Sequence, residues 1–187
     1  MIDYEAIGRS ITHYELNRFK RIESPWYVPK SIVNITLPSF CKAVELNTGE
    51  CLVGSAEQSF LSLYLNGNLP KGRFQSITPC FRDDDIDWLH QKYFIKNELI
   101  DTEDTSENGL AKILDICLRF FKSEFKNNVP KIVKKQNEGI YPSYDIEYDG
   151  IELGSYGIRS CNFLTWIYAT GLAEPRLSSI KKKYGIS

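Results

Sequence analysis

The sequence predicts an α+β domain, an antiparallel sheet flanked by helices. Three observations point there. Residues 73–82 and 93–100 form the arms of a long hairpin, the first mixing β-branched and aromatic residues and the second alternating strictly. Two further strand segments, 144–148 and 151–158, are joined by the tight pair Asp149-Gly150, a strong signal for adjacent antiparallel strands. Apolar residues at helical spacing mark amphipathic helices over 3–20 and 110–125.

Taken in order, residues 3–20 place Ile7, Ile11, Tyr14 and Phe19 near helical spacing, with Glu5, Arg9, Arg18 and Lys20 among the polar positions. Pro25 and Pro29 preclude a continuing helix, so 26–40 is expected to be irregular or short strand. Residues 41–46 and 50–53 read as short strands around the turn Asn47-Thr48-Gly49. Ser55 is an N-cap for a helix over 56–65. Gly67, Pro70 and Gly72 break the chain before the hairpin. After a polar loop at 101–108, Leu110, Ile113, Leu114, Cys117, Phe121 and Phe125 mark the strongest helix. The stretch 126–139 is basic and polar and fits a loop, a frayed helix or a small basic patch. A strand at 163–168 runs into Thr170-Gly171, and a last helix covers about 174–184, with Pro175 in its first turn.

Length and composition narrow the function classes. The 187 residues suit a single domain spanning 1–187 with a sizeable core. The 23 basic and 24 acidic residues balance, so overall charge gives no nucleic-acid or anionic-membrane footprint. Five scattered cysteines and two histidines lack zinc-site spacing and suggest reduced thiols. With no 18-residue apolar run and no leader-like N-terminus, a cytoplasmic protein without a membrane span is expected.

One face of the second hairpin arm carries Phe94, Lys96, Glu98 and Ile100, and Arg82 lies across the hairpin. A cation, a flat ring and a carboxylate on one sheet face suit a small anionic, aromatic ligand such as a nucleotide, and equally a solvated charged face. Four more segments surround this hairpin in sequence: RFKRIESP (18–25), GSAEQ (54–58), ELGS (152–155) and TGLAEPR (170–176). In this order, with CFRDD (80–84) and FIKNE (94–98), they resemble the catalytic core of class II aminoacyl-tRNA synthetases, a fold shared with biotin ligases. The seryl branch is the best fit. There, a Thr-Ala-Glu element precedes the hairpin and a Glu-x-x-Ser strand precedes the last motif.

The resemblance implies a set of roles. Arg82 would hold the ATP α-phosphate and the substrate carboxylate, and Arg176 the γ-phosphate; these are the two catalytic residues. Phe94 would stack on adenine, with Asp84 contributing an adenine contact. Glu152 and Ser155 would coordinate or support magnesium. Ser55, Glu57 and Glu98 would face the substrate, Glu57 toward its ammonium and Glu98 toward its side chain. Attack of a carboxylate on the α-phosphorus brings two anions together. Fixed cations and a metal are therefore needed, while no general base is, since the nucleophile is already ionised. The family also implies a homodimer, paired through the element ending at Pro25.

Three departures refine the expectation. Asp84 stands where the family usually has Glu. Ala169 and Ala173 replace glycines and would tighten the ATP pocket. The 187 residues leave no room for an anticodon-binding domain, and the hairpin turn reads DDDID, which repels phosphate. The expectation is a truncated, stand-alone paralog: an ATP- and magnesium-dependent ligase that activates a small amino acid or related carboxylate as an acyl-adenylate. Its acceptor would be a protein or small molecule rather than a whole tRNA. The alternative is a non-catalytic paralog that binds nucleotide or amino acid and regulates a partner.

Overall fold

The structure is a computed structural model describing residues 1–38, 41–83, 85–125, 130–135 and 140–186. Helix α1 (Tyr4–Leu16) opens it, with the Asp3 carboxylate accepting from the Ala6 N–H at 2.9 Å as N-cap. It stops four residues short of its expected end. Arg18 adopts φ +68°, turning the chain so that β1 (Lys20–Arg21) can pair in parallel with β5 (Arg73–Phe81). Phe19 therefore reaches the core from the turn, not from the helix.

The segment expected to be irregular contains β2 (Tyr27–Pro29) and a two-turn helix, α2 (Lys30–Thr36). Pro29 occupies the N-cap of α2, outside the hydrogen-bonded turns, where its missing N–H costs nothing. Strands β3 (Val44–Glu45) and β4 (Glu50–Leu52) flank Gly49 at φ +85° and complete a small sheet ordered β2-β4-β3. Helix α3 (Ala56–Leu65) begins at Ser55, whose hydroxyl accepts from the Glu57 N–H.

The main sheet has the order β1-β5-β6-β10-β9-β8-β7 and is antiparallel throughout except for the β1–β5 pair. Its centre is the expected hairpin, β5 with β6 (Tyr93–Asp101). Helix α4 (Glu107–Glu124) follows, capped by Ser106. The basic stretch supplies an edge strand, β7 (Lys131–Lys134), with Lys126 outside the described residues. Strands β8 (Ser143–Tyr148) and β9 (Ile151–Ser160) meet at Asp149 and Gly150, φ +51° and +76°, the backbone signs of a type I′ turn. Strand β10 (Thr165–Glu174) is longer than expected: Gly171 is a bulge inside it, not its end. Helix α5 (Arg176–Lys183) closes the chain.

Helices α1, α4 and α5 cover one sheet face and enclose the larger core, built around Tyr14, Phe120, Phe121, Tyr156 and Ile167. On the other face, α2, α3 and the small sheet pack over Phe74, Ile100 and Trp166. They cover only part of it. The uncovered part of that second face carries the candidate site.

Two bulges shape this face. In β9, Leu153 is an extra residue between the pairs Ile146–Gly154 and Glu147–Glu152. In β10, Gly171 is extra between Thr170 and Leu172. Residues three apart normally point to opposite faces of a strand. Across a bulge they point the same way, which brings Glu152 with Ser155, and Thr170 with Ala173, to the site face. Buried tyrosine hydroxyls satisfy the bulge carbonyls, Tyr156 donating to Thr170 O at 2.7 Å and Tyr14 to Gly171 O at 2.8 Å. A Cβ at Gly171 would sit 2.6 Å from the Tyr14 ring and 2.9 Å from Asn97 O, so only glycine fits.

Candidate functional site

The hairpin delivers the first residues. Phe94, Lys96 and Glu98 share one face of β6, as the alternation predicts. Arg82 follows the last residue of β5 and donates from Nε to Gly54 O at 3.2 Å, tying the hairpin to the start of α3. Its guanidinium lies over the Phe94 ring, 5.2 Å from the centroid. Across the sheet, Arg176 is the first residue of α5 and donates to Glu152 Oε1 at 2.7 Å. These residues line a cleft with Leu89, His90 and Gln91 at one rim and Ala173 and Pro175 at the other. His90 is an exposed rim residue held by Asp87 at 2.9 Å. Ala169, expected to tighten this pocket, points instead into the helix-side core; Ala173 does line the cleft.

Arg82, Lys96 and Glu152 also line an adjoining cavity of about 340 Å³ beneath α2 and α3. Cleft and cavity therefore form one groove. Ser55, Glu57, Glu98 and Ser155 line the cavity, so the sequence-derived residues meet in one place, save Asp84, which lies outside the described residues. Their partners are informative. Glu98 is buried, and its carboxylate accepts from Ser55 Oγ at 2.7 Å, from the Ala56 N–H and from Lys96 Nζ at 2.9 Å. Burial alone would raise its pKa, but Lys96 and these donors outweigh burial and hold it below the usual carboxylate range. Glu152 behaves alike, burial being outweighed by Arg176, Lys96 and Lys135.

Glu57 differs. Burial pushes its pKa up against the opposing pull of Arg159. Both oxygens are engaged: Oε1 accepts from Trp166 Nε1 at 2.7 Å and Oε2 from the Arg159 guanidinium. Arg159 stacks over the Tyr168 ring at 4.1 Å, and both Tyr168 and Ser155 line the cavity. Arg159, Tyr168 and Lys135 are site residues that sequence reasoning missed. Arg159 was within reach, because it lies on the Ser155 face of β9; ending that strand at 158 removed it from view.

The donor set suits a magnesium ion carried on nucleotide phosphates. Glu152 offers one carboxylate at the groove's centre, and magnesium in such sites takes one or two protein carboxylates beside the phosphates. Ser155 forms part of the cavity wall. Among the described residues, no cluster of three or more His, Cys, Asp or Glu side chains forms a protein-only metal cage. No helix among the described residues is long and apolar enough to cross a membrane.

No protein-family model and no curated protein sequence matches the chain. Solved structures do. Pyrrolysyl-tRNA synthetase from Desulfitobacterium hafniense superposes with a TM-score of 0.74 at 17% identity, over 96% of this chain and 69% of that one. Seryl-tRNA synthetase from Pyrococcus horikoshii, complexed with ATP, gives 0.73 at 16% identity, over 94% and 48%. Cytoplasmic serine-tRNA ligase from Naegleria fowleri, in complex with AMP, gives 0.73 at 15%, over 96% and 48%. The fold is thus that of class II synthetase catalytic cores, and the chain spans about half the length of the two seryl enzymes.

Proposed function

We propose that the chain is an ATP-dependent, carboxylate-activating ligase of the seryl-like branch, its residues 1–187 acting as one catalytic domain. One observation carries this: Arg82, Phe94, Glu152 and Arg176, drawn from the hairpin, β9 and α5, line one cleft continuous with a larger, partly open cavity. Adenine would stack on Phe94 once Arg82 swings off the ring toward the α-phosphate. Arg176 would leave Glu152 for the γ-phosphate, freeing that carboxylate for magnesium, which would neutralise phosphate charge. The substrate carboxylate, lodged in the cavity, would attack the α-phosphorus. A carboxylate oxygen–phosphorus bond forms, and the bond to the β-phosphate oxygen breaks, its electron pair leaving with pyrophosphate. Fixed positive charge at the two arginines is what this chemistry asks of the protein.

Two further parts belong to the proposal. Exposed Trp26 and Tyr27 directly follow Pro25 and support pairing of two copies through that element. The hairpin turn supports an acceptor other than whole tRNA: Asp85 and Asp87 are exposed, although Asp83 is bridged to Lys92 at 2.9 Å. All five cysteines are free, which supports a reducing, cytoplasmic setting.

A regulatory, non-catalytic binder is the second reading. Its support is that Arg82 rests on Phe94 and Arg176 on Glu152, so nucleotide entry must break both contacts. ATP–pyrophosphate exchange with pooled amino acids and simple carboxylates separates the two. The ligase reading expects exchange with at least one pool; measurable ATP binding without exchange in any pool would leave the regulatory reading.

A further inference from the structure

The charge arrangement of the cavity narrows the substrate. This step rests on the proposed carboxylate activation and concerns the end of the groove beyond Arg82. Five cationic side chains and three carboxylates line the cavity. Each carboxylate is already committed: Glu57 to Arg159 and Trp166, Glu98 to Lys96, Ser55 and the Ala56 N–H, and Glu152 to Arg176. A substrate ammonium would have to displace one of these resident donors, whereas a second anionic group would not. The cations are not all committed. Among the described residues, Arg82 and Lys42 form no close ion pair, Lys42 acting on the Asp83 carboxylate only at longer range.

Arg159 carries the argument further. A guanidinium presents five N–H donors in a planar fork that matches a carboxylate. Glu57 takes Arg159 through one oxygen, Oε2, because Oε1 is held by the Trp166 indole. The Tyr168 ring fixes the guanidinium plane from one side. Arg159 keeps donors to spare, is partly exposed and lines the cavity, while Glu57 behind it is buried. The two arginines bracket the start of α3, Arg82 at Gly54 and Arg159 at Glu57. One carboxylate binds at Arg82; a second anionic group fits the free edge of Arg159 at the other end.

We infer that the substrate is a dicarboxylate, its reacting carboxylate held at Arg82 and its second carboxylate on Arg159, rather than a neutral zwitterionic amino acid. Simple diacids and acidic amino acids share this chemistry. The test is direct binding by calorimetry, independent of turnover, using succinate, L-aspartate, propionate and L-serine as probes. Succinate or L-aspartate should bind at least about tenfold more tightly than propionate or L-serine, the scale of a charge-assisted hydrogen-bonded contact. Preference for succinate over L-aspartate assigns a simple diacid, and the reverse an acidic amino acid. Removing Arg159 alone strands a buried carboxylate, so the informative variant is the double change Glu57→Gln with Arg159→Gln, checked for folding by circular dichroism. It should lower dicarboxylate affinity about tenfold or more and leave propionate affinity unchanged. Equal or tighter binding of L-serine or propionate overturns the inference, as does dicarboxylate binding that survives the double change. Dicarboxylate binding without pyrophosphate exchange would instead overturn the ligase reading and leave the inference standing.

Discussion

The two ends of the groove are built differently. The proposed nucleotide end takes Arg82 and Phe94 from a single hairpin whose register, Cys80 opposite Phe94, follows from strand alternation. The proposed carboxylate end is assembled from remote pieces: Glu57 lies in the first turn of α3, Arg159 near the end of β9 and Trp166 near the start of β10, 102 and 109 residues away from Glu57. The first end is a local device that a short stretch of sequence specifies. The second exists only once α3 docks over the sheet, which buries the Glu57 carboxylate and leaves Arg159 partly exposed. On the proposed reading, substrate choice would rest on long-range packing, and the adenine and α-phosphate contacts on local pattern.

The shared platform is the largest lever on both ends. Gly171→Ala places a methyl group against the Tyr14 ring and Asn97 O, where the backbone cannot give way. A loss of about 3 kcal/mol or more in urea unfolding is expected, with both ends failing together. An unchanged midpoint would mean that the bulge is not what sets the platform.

A smaller effect separates the ends. Glu174, the last residue of β10, is fully buried, and among the described residues neither carboxylate oxygen has a hydrogen-bond partner. Burial pushes its pKa up to about 7 from the usual 4.5. Between these values the folded chain holds a proton that the unfolded chain releases. Stability should therefore fall as pH rises from about 4.5 to about 7, by roughly 3 kcal/mol, and level off above. Glu174→Gln should flatten this slope and stabilise the protein at pH 8, as read by unfolding titrations across pH. Because Glu174 lies two residues before Arg176, the same change should disturb the nucleotide end more than the Glu57–Arg159 end. A slope that persists in the variant would assign it to other groups.

Much of the fold was legible in the sequence because its signals are local. Strand alternation marked the hairpin, Asp149-Gly150 the tight turn, Ser55 an N-cap and the apolar spacing α4. Helix α2 was not legible, because Pro29 reads as a breaker until its place at the N-cap is known. The length of β10 was hidden for a related reason: Gly171 resembles a strand end but is a bulge, and its role depends on Tyr14, 157 residues away. Among the site residues, Arg82, Phe94, Glu152 and Arg176 stood in recognisable motifs and do share a cleft. The pairing of Glu57 with Arg159 was not visible, since nothing near either residue in sequence names the other. The acidic turn also reads differently once folded, with Asp83 bridged to Lys92 and Asp87 to His90.

The central claim is that the Arg82–Phe94 end of the groove holds ATP. ATP binding by calorimetry to the wild type and to Arg82→Ala, with circular dichroism on both, tests it most directly. Among the described residues, the Arg82 side chain makes one hydrogen bond to a backbone carbonyl and one ring contact, so its removal should leave the fold intact. Wild-type binding is expected, with a loss of at least about a hundredfold in the variant, the scale of a charged phosphate contact removed from a partly buried site. Unchanged ATP affinity in a folded Arg82→Ala protein would contradict it.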